Sequence, residues 1–269
     1  MVHSVINHQV VEQKDNRGVG VMRNRLKQKL LAGQQALGVS VMIPSPQIVE
    51  MIGWLGFDWV LIDREHGTIN RETMELMIMA ANASGVTPIV RPHSGDPLAI
   101  LEAMDSGALG VQVPHVSTAE EACRVIQAVK YHPLGSRGLA VGTRSAGYGF
   151  GLDMQQYVQE ANEDTLVCVQ LEDTEAIENI AGIAQVPGVD VLFIGPSDLS
   201  QALGFPGQKD HPTVEQVIGD AVRAITAAGR VAGTAGNSQY RHKPIHQGVL
   251  YYYTHLTTLL ETGSREFLR

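Results

Sequence analysis

The chain has little that ties it to a membrane, to nucleic acid or to an oxidising compartment. It holds two cysteines, Cys123 and Cys168, too few for a disulfide framework or a thiolate zinc site. Cys123 sits in a helical pattern (AEEACRVIQAV) and Cys168 in a strand-like run (LVCVQL), so both read as reduced core residues. No run of about 18 apolar residues occurs. The N-terminal stretch carries no apolar h-region ahead of a cleavage-like site. The expectation is therefore no secretory signal, no membrane span and a cytoplasmic location. A basic run is missing as well, and 28 acidic against 20 basic residues give a formal charge of −8. Nucleic acid is not an expected partner. The first strand-like run, ALGVSVM, leads into IPSP and not into a glycine-rich fingerprint. That weighs against an open dinucleotide-binding sheet.

What is present is a regular alternation. With 269 residues, 44% of them hydrophobic, the chain can bury one large α/β core. Residues 1–23 are polar and weakly patterned and read as a tail or oligomer-contact arm. The helical stretch NRLKQKLLAG follows and ends at Gly33, a C-cap candidate. Eight strand-like runs then span 36–42, 58–63, 87–92, 110–114, 166–172, 189–196, 230–236 and 249–255, with amphipathic helical stretches between them. Strands that are apolar throughout are buried on both faces, as in a parallel sheet. Eight such units in a chain of this length predict an α/β fold of the closed (β/α)₈ TIM-barrel type, a single domain over 24–269. In STAEE, Ser117 can cap a helix with Glu120 answering it. The connection 132–152 contains six glycines, and a loop of that length is usually functional or disordered.

In such a barrel the chemistry sits where strands end. Here many ends are charged: Asp63, Arg64, Glu65 and His66 after the second strand, Arg91 on the third, Glu172 and Asp173 on the fifth, Asp198 after the sixth and His255 on the eighth. Each has an ordinary explanation. Asp198 can start a helix and Asp173 can cap one, Arg91 can sit in a structural ion pair, and His66 can be a loop histidine. One shared site explains them together. Two carboxylates suit a hard cation that keeps exchangeable ligands. An arginine forks onto a carboxylate or an enolate. A histidine beside an acid moves protons near neutral pH. Together they describe enolate chemistry assisted by a metal.

The ordered set DREHG, VRP, VQLED and GPSDLS, with KYHPLGSRG and DLSQALG…HPTVEQ around it, resembles the HpcH/HpaI aldolase family from about residue 25 to about residue 260. The resemblance implies a (β/α)₈ barrel that assembles as a homo-oligomer, trimer or hexamer. It implies a class II aldolase using Mg²⁺, Mn²⁺ or Co²⁺ that cleaves a 4-hydroxy-2-oxo acid reversibly to pyruvate, or a related 2-oxo acid, and an aldehyde. Carried over by position, Glu172 and Asp198 ligate the metal. Arg91 binds the pyruvate carboxylate or enolate, and Gln170, Pro196 and Ser197 line the substrate site. His66 is the acid/base, oriented by Asp63. The chain departs from the family at Arg64, at Gly67-Thr68-Ile69 and at Tyr251–Tyr253 and His255, which bears on the aldehyde more than on the pyruvate chemistry. A Schiff-base mechanism needs a lysine at a strand end, and Lys130, Lys209 and Lys243 fall in helix or loop contexts. An acyl-CoA lyase of the malyl- or citryl-CoA type, a metal-enolate decarboxylase and a non-catalytic binding barrel are the competing readings.

Overall fold

A computed structural model describes residues 23–269. The tail expected over 1–23 lies, apart from Arg23, outside the described residues. Eight parallel strands close into a barrel in chain order: β1 (Ala36–Val41), β2 (Trp59–Asp63), β3 (Thr87–Arg91), β4 (Gly110–Val113), β5 (Leu166–Leu171), β6 (Val191–Ile194), β7 (Val231–Ala235) and β8 (Val249–His255). The helices are α1 (Arg25–Leu31), α2 (Pro46–Trp54), α3 (Arg71–Ser84), α4 (Pro97–Asp105), α5 (Ala119–Val129), α6 (Met154–Asp164), α7 (Thr174–Glu178), α8 (Ile180–Ala184), α9 (Pro196–Ala202), α10 (Pro212–Ala227), α11 (Ser238–Arg241) and α12 (Leu256–Phe267). No helix among the described residues is long and apolar enough to cross a membrane.

The two-residue period of a strand sorts its side chains into two sets. Val39, Val60, Ile62, Val90, Val111, Val167, Val169 and Leu192 face outward into the packing between sheet and helices. Trp59, Leu61, Ile89, Leu166, Cys168, Phe193, Tyr251 and Tyr253 fill the interior. Trp59 stacks on Tyr251 with centroids 4.0 Å apart, and Phe193 stacks on Tyr253 at 5.2 Å. β1 passes Trp59 with Gly38, where a Cβ would overlap the indole. The unusual tyrosine run of β8 is therefore core filling at Tyr251 and Tyr253, while Tyr252 turns outward and donates to Asn237 O. Leu26 and Leu30 of α1 pack onto this interior cluster.

Helix signals fall close to expectation, with shifts of single residues. Gly33 adopts a left-handed φ of 71° one residue past the C-cap Ala32, as a helix stop requires. The capping box of α5 uses Thr118 and Glu121, one position later than Ser117 and Glu120. Ser117 instead donates through its hydroxyl to Asp173, which caps α7. Cys168 is buried in the barrel, whereas Cys123 is exposed on the outer side of α5, a correction that follows from its place on the polar face of that helix. The glycine-rich connection is ordered. Tyr131, Ala146, Tyr157 and Ala161 give it a small core of its own, and Arg137 is bound to Asp105 at 2.8 Å. It leads from the end of α5 into α6 and on to the start of β5, so it lies at the N-terminal rim, opposite the C-terminal ends of the strands.

Candidate active site

The inward period that fills the barrel with aromatic rings changes character near the strand ends. Asp63 and Arg91 are register partners on β2 and β3. Both are buried. Arg91 Nε donates to Asp63 Oδ1 at 3.0 Å and Nη2 to Oδ2 at 2.5 Å, the two-pronged fork that arginine makes with a carboxylate. Burial opposes the guanidinium's charge, but Asp63, Tyr253 and Glu65 outweigh it and hold Arg91 above its ordinary pKa. Asp63 Oδ1 also accepts the backbone N–H groups of Glu65 and His66, at 3.0 and 3.2 Å. One buried carboxylate thus fixes both the arginine and the loop that carries His66. Asp63 reaches His66 through the backbone only. The acid beside the imidazole is Glu65, with Oε2 at 3.7 Å from His66 Nε2.

The third nitrogen of Arg91 points along the mouth. Nη1 lies 3.4 Å from Gln170 Oε1 and 3.1 Å from Glu65 Oε2. That Glu65 oxygen is buried and has no aligned hydrogen-bond donor. Gln170 is held from behind by Gln112 Nε2 at 2.6 Å, itself backed by the Tyr251 hydroxyl at 3.2 Å. Gln170 then donates to Glu172 Oε2 at 2.6 Å. Glu172 is buried, and burial pushes its pKa up against the donors Gln170 and His115. Gly195 opens space beside it, since a Cβ there would sit 3.1 Å from Glu172 Oε2.

His115 is the residue that sequence reasoning missed. It follows Pro114 at the end of β4 with a left-handed φ of 55°, an uncommon conformation for a non-glycine residue and one associated with functional sites. Its backbone N–H donates to Glu172 Oε1 at 2.8 Å. Its ring bridges two acids, Nδ1 at 2.9 Å from Glu172 Oε1 and Nε2 at 3.1 Å from Glu65 Oε1. Glu65, His115 and Glu172 place three potential ligand atoms within 4.8 Å of one another. The only local signal was a histidine after a strand-ending proline.

A pocket opens beside this network. His66, Arg91, Gln170, Pro196, Ser197 and Asp198 all line it. Asp198 stands in the first turn of α9, whose N-cap is Gly195, so it belongs to a helix start without being the cap. Among the described residues no side-chain cation pairs with it. Arg64 turns away from the mouth and binds Glu102 at 2.9 Å. Lys130 is buried at the opposite rim, where Nζ donates to the carbonyls of Asn162 and Thr165 at 2.7 and 2.8 Å. It cannot serve a Schiff base at this mouth.

Loss of the Asp63 carboxylate is expected to be felt as stability. Breaking a buried ion pair costs about 3–5 kcal/mol, and the low end applies because Glu65 stays near Arg91. Asp63→Ala should lower the melting temperature by roughly 10 °C, at about 2–4 °C per kcal/mol for a domain near this size. Calorimetry checks this, and an unchanged melting temperature would show that the pair carries no net stability.

The strand ends of this parallel barrel thus gather an anchored arginine, buried carboxylates and an open pocket. The HpcH/HpaI aldolase/citrate lyase model matches residues 38–246, and the chain belongs to that family. It is 39% identical over 216 residues to 2-keto-3-deoxy-L-rhamnonate aldolase of Klebsiella pneumoniae, covering 79% of each chain. It is 36% identical over 245 residues to 4-hydroxy-2-oxo-heptane-1,7-dioate aldolase of Salmonella arizonae, covering 90% of this chain and 92% of that one. Among solved structures, an HpcH/HpaI aldolase/citrate lyase family protein of Burkholderia cenocepacia superposes with a TM-score of 0.84 at 28% identity, covering 91% of this chain and 98% of the other. The chain is a carbon–carbon lyase of the aldolase type.

Proposed function

We propose that the protein is a class II aldolase that reversibly cleaves a 4-hydroxy-2-oxo acid to pyruvate, or a related 2-oxo acid, and an aldehyde. The observation that carries the reading is the mouth of the barrel, where Arg91 is anchored by Asp63 and its remaining Nη1 lies between Glu65 and Gln170, next to the buried Glu172.

The donor set fits a hard cation. Glu172 is a buried carboxylate whose charge burial penalises, Glu65 Oε2 lacks an aligned donor, and Asp198 lines the adjoining pocket. Glu172 and Asp198 are the ligands in this reading, with Glu65 and His115 close to Glu172. A divalent cation such as Mg²⁺, Mn²⁺ or Co²⁺ supplies Lewis-acid polarisation of the 2-oxo acid when bound.

The chain's own groups do the rest. Two of the three guanidinium nitrogens of Arg91 are spent on Asp63. Nη1, which also pairs with Glu65 Oε2 at 3.1 Å, is the nitrogen turned toward Gln170, and it binds the ketoacid carboxylate and stabilises the enolate oxygen as charge develops. Gln170 orients the same fragment, and Pro196 and Ser197 line the same pocket. His66, more than half exposed at the lip, takes the proton of the 4-hydroxyl in cleavage and returns it in condensation.

The test is a metal-replenished assay in both directions, with pyruvate or hydroxypyruvate and a panel of aldehydes. Condensation product is expected, and the same preparation is expected to sediment as a trimer or hexamer. α12 supports the assembly, because it buries none of its side chains in the described chain and leaves Leu260, Phe267 and Leu268 exposed. No product with any aldehyde would overturn the aldolase assignment, and a monomer would remove the assembly.

A further inference from the structure

His115 sits where three strand ends meet. It follows β4, Glu65 follows β2 and Glu172 follows β5, and one potential ligand atom from each falls within 4.8 Å of the others. The imidazole is 67% exposed, while the two carboxylate side chains are 8% and 2% exposed. An ion pair to so exposed a partner contributes little. Yet the chain holds His115 at a left-handed φ of 55°, a strained backbone for a residue with a Cβ. That turn brings two groups of one residue to a single oxygen. The backbone N–H donates to Glu172 Oε1 at 2.8 Å, and Nδ1 lies 2.9 Å from the same atom.

The separations suit a coordination shell. Two ligand atoms at adjacent corners of an octahedron, with bonds of about 2.1 Å, stand about 3.0 Å apart. The observed gap between Nδ1 and Oε1 has that length. With Nδ1 on an ion, Nε2 keeps the ring proton and donates it to Glu65 Oε1, 3.1 Å away. A ligating histidine usually gives its other N–H to a carboxylate in this way. Glu65 is in turn held by Arg91 Nη1 at 3.1 Å, so the acid that would orient the ring is itself fixed from outside the cluster.

We propose that His115 supplies a ring nitrogen to the cation at Glu172, with Glu65 as the acid that orients it, and that the protein therefore favours a transition ion such as Co²⁺ over Mg²⁺. The inference rests on the aldolase reading for the presence of a cation at Glu172. Carboxylates and water alone suit Mg²⁺ and Mn²⁺, and one imidazole in the set moves the preference toward Co²⁺.

The experiment uses the whole chain, stripped by a chelator and reloaded with Mn²⁺, Co²⁺ or Mg²⁺ alone. Pulsed electron paramagnetic resonance of the Mn²⁺ form should show coupling to a directly bound nitrogen nucleus. His115→Gly should remove that coupling, and free imidazole should restore it. Glycine accepts the left-handed φ and keeps the backbone N–H, so the bond to Glu172 persists and only the ring is lost. In the same variant calorimetry should show Co²⁺ affinity lower by more than about 100-fold, and Mg²⁺ affinity lowered less. Glu65→Gln should keep the coupling and weaken Co²⁺ by about 10- to 100-fold, the loss typical of a group that supports a ligand. Mn²⁺ bound without nitrogen coupling would overturn the inference and leave the aldolase reading standing, with a cation held by carboxylates. So would a coupling that survives His115→Gly. No binding of any of the three ions would overturn both.

Discussion

Chelation is expected to abolish aldol cleavage, and Mg²⁺, Mn²⁺ or Co²⁺ to restore it. The companion variant is Glu172→Gln. Glu172 is common to the pair expected from the family resemblance, Glu172 with Asp198, and to the cluster Glu65–His115–Glu172 that the geometry brings together. Glutamine keeps the shape and removes the charge, so metal affinity should fall by more than about 100-fold, beyond the loss typical of partners that only support a ligand. The fold should survive. Burial already raises the Glu172 pKa, which means the buried anion is a liability to the metal-free protein, and an amide relieves it. Titration of Mn²⁺ into the wild type at 100 times its dissociation constant should stabilise it by about 2.7 kcal/mol. The glutamine variant should show no such gain. Full turnover in chelated protein would sink the metal reading. His115→Ala separates the two ligand sets. If the ring nitrogen ligates, its loss should weaken Co²⁺ more than Mg²⁺, since imidazole suits the softer ion. If Asp198 completes the set, the order of preference should not move.

The barrel was legible because its signal is local and repeated. A strand buried on both faces reads as an unbroken apolar run, and all eight expected runs contain the observed strands to within about two residues at each end. Helix starts are written in single side chains, so the α5 cap could be misplaced by one residue between Ser117 and Thr118, both competent oxygens. Asp63, Arg91, Glu172 and Asp198 stood out because a charge at the end of an apolar run is conspicuous. Their mutual geometry was not written locally. That Asp63 grips Arg91, and reaches His66 only through its backbone, depends on β2 and β3 being in register. His115 was hidden for the same reason: its ring meets Glu65 and Glu172 from two other strand ends, across the mouth. The glycines at 132–152 suggested a functional or disordered loop through composition alone; the connection is ordered, and the order of elements places it at the other rim.

His66→Ala is expected to slow aldol cleavage by about 10²–10⁴-fold, the range of a positioned acid/base, with metal and pyruvate still bound. The imidazole is exposed at the lip, with Glu65 Oε2 at 3.7 Å as its nearest acid, so its removal leaves no cavity in the core and no stranded buried charge. Its backbone N–H bond to Asp63 persists in the alanine variant, and the loop keeps its place. Exchange of the pyruvate methyl protons reports a different part of the site. It requires enolate stabilisation by Arg91, whose grip on Asp63 the substitution does not touch. A split is therefore expected: cleavage lost, pyruvate binding retained, exchange reduced less than cleavage. All three are to be measured on one preparation, with metal affinity as the fourth reading. A collapse of metal affinity would make His66 a ligand and move the site. Normal cleavage would pass the proton transfer to another group at the mouth, and His115, whose ring lies between Glu65 and Glu172, is then the residue to replace next. Glu65→Gln supplies the remaining control. If Glu65 orients the ring, its loss should lower kcat by less than the loss of His66 and leave KM for pyruvate near its original value.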